Sequence, residues 1–293
     1  MVGFVATKWR GLRRRIDKAL VDSDTWTDGT THYGVVVART ARYRLAGLGL
    51  GVTRNERRLL DHKDRHKGER CFIIGNGPSL KETDLRRVKD EVTFGVNGIY
   101  LNYEKMGFLP TYYIVEDVFV AEDRADEINA LQGCTRFFGN YLRYALEERE
   151  EAIWLNVRRN YRDYTDFPHF SRNAARMLWV GGTVSFLNLQ MAYYMGFSKV
   201  YLVGFDHNYI VPDDVKKDGV DWESQSDDPN HFDPNYFGKG YRWHDPNVAR
   251  MEKALCRARR EFEADGRAVY NATVGGKLEV FERVDYDGLF PEG

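Results

Sequence analysis

His244 is the side chain best suited to move a proton in this chain. It lies in Tyr241-Arg242-Trp243-His244-Asp245-Pro246, just ahead of an amphipathic helix and just after a long polar segment. An imidazole takes a proton near neutral pH more readily than any other side chain. Four asparagines, Asn76, Asn97, Asn140 and Asn271, stand at or just past the ends of short apolar runs. An amide offers a donor and an acceptor without charge, which suits a nucleobase edge, a ribose or a sugar hydroxyl. Asp206 closes the run Leu202-Val203-Gly204-Phe205, where a carboxylate can hold ribose hydroxyls or a metal. His207, Asn208 and Tyr209 extend that polar rim, and Glu116 with Asp117 forms a second acidic site. His62, His66, His169 and His231 stand in weaker contexts.

The elements that must position these groups are legible from their patterns. Cys71-Phe72-Ile73-Ile74 runs into Gly75-Asn76-Gly77-Pro78-Ser79-Leu80, an apolar strand entering a small-residue turn. Gly75 and Gly77 let the backbone bend sharply and a ligand come close, while Asn76 and Ser79 supply polar tips. Asp84 or Thr83 starts a helical stretch over 82–88. Strand, glycine turn and helix start make the phosphate or nucleotide cradle of an α/β protein. The spacing is neither GxGxxG nor the Walker pattern. Further strands are expected at 92–96, 111–115, 135–138, 152–157, 199–203 and 268–271. Helices are expected at 120–131, 183–195 and 248–264. Thr183, after Gly181-Gly182, is a good N-cap whose free backbone N–H groups could bind an anion. Strands alternating with helices predict an α/β, Rossmann-like, mainly parallel sheet covered on both faces. Its ligands should gather beyond the carboxyl ends of the strands.

Residues 212–243 are too long and polar for a plain connector, and their interspersed aromatics read as a lid. Residues 1–67 read as an extension and linker, and 68–293 as the nucleotide-binding catalytic domain. Phe4, Val5, Trp9, Leu12, Ile16 and Leu20 recur at helical spacing among Lys8, Arg10, Arg13, Arg14, Arg15 and Lys18. A basic amphipathic helix over residues 4–20 suits an anionic membrane surface, with packing on a protein as the alternative.

Composition bounds the rest. The 293 residues are 43% hydrophobic and 30% charged, ordinary for a globular chain, with a net charge of −1 that argues against a nucleic-acid partner. Three scattered cysteines, Cys71, Cys134 and Cys256, make neither a disulfide framework nor a zinc site. A cytoplasmic setting is expected, with the inner membrane face as a peripheral option. No apolar run is long enough for a transmembrane helix. A homo-oligomer is left open.

The Gly75–Leu80 turn resembles the opening motif of the bacterial sialyltransferases of glycosyltransferase family 42, and equally that of the MptE-like (6-hydroxymethylpterin pyrophosphokinase-like) domain family. Val96-Asn97, Gly139-Asn140, Gly182-Thr183, and Met195 through Gly204-Phe205-Asp206 are similar to later sialyltransferase blocks. His244 falls where that family places its base. The ending Asn271-Ala272-Thr273-Val274-Gly275-Gly276 looks more like the MptE-like group. The resemblance covers about residues 69–290. It implies a transferase moving an acid sugar (sialic acid, a related nonulosonate or 3-deoxy-octulosonate) from a CMP-activated donor to a glycan or lipid-linked acceptor, without an essential metal. It implies His244 as general base and Gly75, Asn76, Gly77, Ser79, Asn97, Asn140, Gly182, Thr183, Asp206 and Asn271 around the nucleotide. Asn208 stands where the sialyltransferases carry a phosphate-binding tyrosine, beside Tyr209, with Tyr236 and Tyr241 further on. The MptE-like alternative implies a diphosphokinase using ATP and Mg²⁺, with Glu116, Asp117 or Asp206 on the metal. A non-catalytic nucleotide-sugar binding protein is a third reading.

Overall fold

The computed structural model describes residues 41–159, 167–219 and 221–290. The expected helix over 4–20 lies outside them.

Buried parallel strands read as short apolar runs, because both faces are covered. Six of them stand close to where the sequence places them: β1 (Arg70–Ile74), β2 (Thr93–Val96), β3 (Tyr112–Val115), β4 (Thr135–Gly139), β5 (Ala152–Leu155) and, after two short strands β6 (Val157–Arg158) and β7 (Leu178–Trp179), β8 (Lys199–Val203). The polar segment then contributes β9 (Lys216–Asp218), β10 (Asp221–Glu223) and β11 (Arg242–His244), and the chain ends with β12 (Ala268–Asn271) and β13 (Glu282–Arg283). The main sheet has the order β13-β12-β8-β1-β2-β3-β4-β5, and every pairing in it is parallel. The chain builds outward from β1 to β5, returns to lay β8 against the other side of β1, and continues outward. The order therefore reverses between β1 and β8.

Register sorts the side chains onto two faces. Ile73, Phe94 and Tyr112 are lateral neighbours on one face. The Val184–Tyr194 helix packs on β1, β2 and β3, and Phe197 just beyond it meets Phe94 edge-on at 5.9 Å. That helix is buried along its whole length; its polar Asn188 and Gln190 donate to the carbonyls of Val184 and of Trp179 and Phe186. On the opposite face Phe72 stacks on Tyr201 at 5.2 Å and on Phe290 at 5.8 Å. The cover there includes the C-terminal segment.

Three expectations change. Residues 54–67, expected as a solvated helix or linker, begin with a helix that is packed rather than solvated: Arg54–Leu60, with a Thr53/Glu56 capping box, buries Leu59, and His62 and His66 pack on Phe137 and Phe197 at 5.3 and 4.7 Å. The helix expected over 120–131 is two, Val118–Asp123 and Ala125–Ala130, broken at Arg124. Arg124 is turned inward, where its guanidinium donates to the carbonyls of Asn235 and Tyr236 at 2.6 and 2.7 Å. The segment 212–243 is not simply a loop, for it carries the antiparallel sheet β9-β10-β11.

Candidate functional site

The reversal between β1 and β8 is where an open α/β sheet leaves a crevice for ligand. A cavity of about 830 Å³ opens there. The cradle turn and the turn after β8 form its floor. Gly75 N–H donates to Val203 O at 2.8 Å and Gly77 N–H to Gly204 O at 2.9 Å. A Cβ on Gly75 would stand 2.5 Å from Gly204 O, and one on Gly77 1.8 Å from Asp206 Oδ2. The glycines are therefore required by the close approach of two turns, a reason different from the ligand access read from the sequence. Asp206 accepts from Ser79 N–H at 3.1 Å and from the Ser79 hydroxyl at 2.7 Å. Both of its oxygens are thus committed to the turn, and Ser79 faces Asp206 without joining the cavity wall.

Of the four asparagines, Asn76 and Asn97 line the cavity and Asn140 and Asn271 do not. All four lie at or just beyond strand ends, but strands stand about 4.8 Å apart, so position across the sheet decides reach. Asn140 follows β4, three strands from β1. Asn271 ends β12, two strands from β1, and is fully buried. Its Nδ2 donates to Leu278 O at 2.9 Å and its Oδ1 accepts from Thr273 N–H at 3.0 Å. Asn76 has the stronger claim. Its Nδ2 donates to Val96 O and to Tyr236 Oη, both at 3.1 Å. The carbonyl of Val96 can only accept, so the amide orientation is fixed. Oδ1 then remains a buried acceptor with no protein donor among the described residues, suited to an N–H or O–H of a ligand.

Gly182 and Thr183 also line the cavity, and Thr183 Oγ1 caps the Val184–Tyr194 helix by accepting from Ser185 N–H at 3.3 Å. Gly182 adopts φ of 82°, and a Cβ there would stand 2.8 Å from Arg250 Nε. Asn208 and Tyr209 lie on the wall as expected.

Glu116 and Asp117 face the same space from the end of β3. Burial, and then the neighbouring Asp117 carboxylate, push the Glu116 carboxyl up to about 7, against the opposing pull of Arg159 and Arg250. Asp117 Oδ1 accepts from Phe119 and Val120 N–H at 2.8 and 3.1 Å, capping the Val118–Asp123 helix. Glu116, Asp117 and Asp206 do not converge as a ligand set. Among the described residues no group of three His, Cys, Asp or Glu side chains could hold a metal ion.

The lid supplies the opposite wall. Register pairs Asp221 with His244 and Trp222 with Trp243. His244 Nδ1 lies 3.1 Å from Asp221 Oδ1, its ring stacks on Phe119 at 4.2 Å, and its Nε2 lies 3.9 Å from Asp117 Oδ2. A carboxylate on Nδ1 fixes ring orientation and tautomer and leaves Nε2 as the basic edge. The segment is docked against the sheet edge. Phe232 N–H donates to Asn76 O at 2.9 Å, Gly98 N–H donates to Tyr236 Oη at 3.2 Å, and Arg242 pairs with Glu122 and Asp123.

Sequence reading missed Asp221 as the partner of His244, set His231 aside, and did not single out Arg159, Asp228 or Arg250, all of which line the cavity. The Asp221–His244 pairing depends on cross-strand register in three-residue strands, which leave no alternation to read. His231 and Asp228, three residues apart, were the one local signal.

With this geometry in place, relatives become informative. A family model described as 6-hydroxymethylpterin diphosphokinase MptE-like matches residues 52–211, and the chain belongs to that family. The match includes the cradle, Asn97, Glu116, Thr183 and Asp206. It stops before Asp221, His231 and His244. Among solved structures the chain is similar to the MAf glycosyltransferase from Magnetospirillum magneticum AMB-1, at 17% identity and a TM-score of 0.48, over 85% of this chain and 39% of that one. It thus spans about two fifths of that protein. It is also similar to a mammalian sialyltransferase in complex with Gal-beta-1-3GalNAc-ortho-nitrophenol, at 11% identity and a TM-score of 0.36, over 82% and 86% of the two chains. No curated protein matches it.

Proposed function

We propose that this chain is a glycosyltransferase that moves an acid sugar from a CMP-activated donor to a hydroxyl of a glycan or lipid-linked acceptor, with His244 as general base. The observation that carries this reading is the Asp221–His244 pair, facing the nucleotide cradle across one cavity. Asn76 Oδ1 and Asn97 meet the polar edges of the nucleotide. The N-terminus of the Val184–Tyr194 helix and Arg250 offer donors to its anionic part. His244 Nε2 takes the proton of the acceptor hydroxyl as its oxygen attacks the anomeric carbon, while Asp221 holds the ring and stabilises the cation formed.

The family description favours a second reading, transfer of a diphosphate from ATP, which also needs a base for a hydroxyl. Its Mg²⁺ would need one or two carboxylates beside the substrate phosphates, which Glu116 and Asp117 on the cavity wall could supply, whereas both Asp206 oxygens are taken by Ser79. A thermal-shift screen of CMP, CDP, UDP and ATP, each with and without Mg²⁺, separates the two. Stabilisation by CMP without metal supports sugar transfer. Stabilisation by ATP with Mg²⁺ alone overturns it. Peripheral contact of residues 4–20 with the inner membrane face is proposed alongside; no helix among the described residues is long and apolar enough to cross a membrane.

A further inference from the structure

A second imidazole–carboxylate pair lies in the cavity wall, and the chemistry above does not use it. His231 Nδ1 is 2.6 Å from Asp228 Oδ2. The Asp228 side chain is 3% exposed and also accepts from Asn230 N–H at 2.7 Å and Phe237 N–H at 2.9 Å. Burial alone would raise this carboxyl. The His231 hydrogen bond and charge, with the two backbone donors, outweigh burial and hold it below its ordinary value. The imidazole lies flat on the Tyr236 ring, 3.9 Å between centroids and 6° from parallel. The Tyr236 hydroxyl is held by Asn76 and Gly98, and Phe232, next to His231, donates to Asn76 O. His231 is therefore fixed beside the cradle turn. With Nδ1 committed to Asp228, Nε2 is the edge left for a ligand, and no described residue hydrogen-bonds to it.

The two pairs differ in depth. Asp221 is 56% exposed and Asp228 3%. A positive charge on His231 would face a buried, fully hydrogen-bonded carboxylate, where Coulomb attraction is several-fold stronger than at the surface. His231 thus presents Nε2 from a ring anchored on a buried carboxylate, and His244 presents Nε2 from a ring anchored on an exposed one. The tyrosines after β8 are committed elsewhere. Tyr209 Oη donates to Met251 Sδ at 3.7 Å, Tyr236 Oη is held as above, and Tyr241 lies under Arg124 at 4.2 Å.

We propose that His231 is a second catalytic residue, donating from Nε2 to the phosphate of the bound nucleotide. This rests on the nucleotide-transferase reading and names the group that receives its leaving phosphate. As His244 removes the acceptor proton, the acceptor oxygen bonds to the anomeric carbon. The bond from that carbon to the phosphate oxygen breaks, its electron pair stays on the oxygen, and the oxygen takes the Nε2 proton of His231. His244 ends protonated and His231 neutral, so the proton count balances.

The test compares CMP with cytidine by calorimetry on the full chain. His231→Asn keeps an amide N–H for Asp228 and removes the Nε2 edge, whereas His231→Gln places an amide nitrogen near Nε2. Wild type should prefer CMP over cytidine. His231→Asn should lose about 10- to 100-fold of that preference, the worth of one charge-assisted hydrogen bond, with cytidine affinity kept. His231→Gln should restore part of it. The phosphorus NMR shift of bound CMP gives a second readout at the phosphate and should move in His231→Asn. An unchanged CMP-over-cytidine preference in His231→Asn overturns the assignment while leaving the parent reading intact. A wild type that binds neither compound overturns both.

Discussion

Ser79 and Asp206, 127 residues apart in the chain, are joined by two hydrogen bonds, one from the Ser79 backbone and one from its hydroxyl. This clasp ties the turn after β1 to the turn after β8 at the point where strand order reverses. The carboxylate read from the sequence as a ribose holder shapes the floor on which a ribose would rest.

The clasp predicts how its parts fail. Gly77→Ala places a methyl 1.8 Å from Asp206 Oδ2, so the turns must part. Overpacking of this kind costs about 2–3 kcal/mol. Asp206→Ala leaves the Ser79 donors unmatched, at about 1–3 kcal/mol. Urea denaturation should show both losses, and both variants should bind nucleotide poorly. A Gly77→Ala protein of native stability would refute the close-approach argument.

The base assignment predicts a split between turnover and binding. His244→Ala should lower transfer by about 10²–10⁴-fold, the usual worth of a positioned base, while CMP affinity stays close to wild type. Asp221→Asn should lower transfer less, because Phe119 still supports the ring. Steady-state kinetics beside calorimetry measures both, and undiminished turnover in His244→Ala would remove this residue from the chemistry.

Glu116 predicts a pH signature. Its folded pKa of about 7 lies above its ordinary 4.5. Between those values the folded chain holds more protons than the unfolded one, so this group makes stability fall as pH rises through the window. Glu116→Gln removes that cost. Its melting temperature should exceed wild type above pH 7, by the equivalent of about 1–3 kcal/mol, and the gap should close near pH 4.5. A constant gap across the range would show that Glu116 is not the titrating group.

What the sequence revealed follows from burial. β1, β2, β3, β4 and β8 are sealed on both faces, so each is a short apolar run with a glycine, asparagine or acid at its end. The Val184–Tyr194 helix is visible for the same reason. β13 is two exposed residues, Glu282 and Arg283, and carries no such mark. The lid sheet is equally silent, since Lys216, Lys217 and Asp218 are all exposed. Within the site, strand ends were legible but strand order was not. Asn140 and Asn271 therefore looked equivalent to Asn76 until the topology put them three and two strands away. The helical break at Arg124 was hidden for a related reason, as its guanidinium serves carbonyls more than 110 residues later.

The family match ends at residue 211, and both imidazoles come after it. On the proposed reading, the part shared with relatives would grip the nucleotide, while the proton chemistry would lie on a separate stretch of chain docked over it. Such a layout makes the reaction type an exchangeable module. A homologue could keep the floor, replace residues 212–247, and acquire a different transfer reaction without redesigning its sheet. Relatives of this chain should then be sorted by their lids, and a chimera exchanging that stretch alone would carry its donor's chemistry with it.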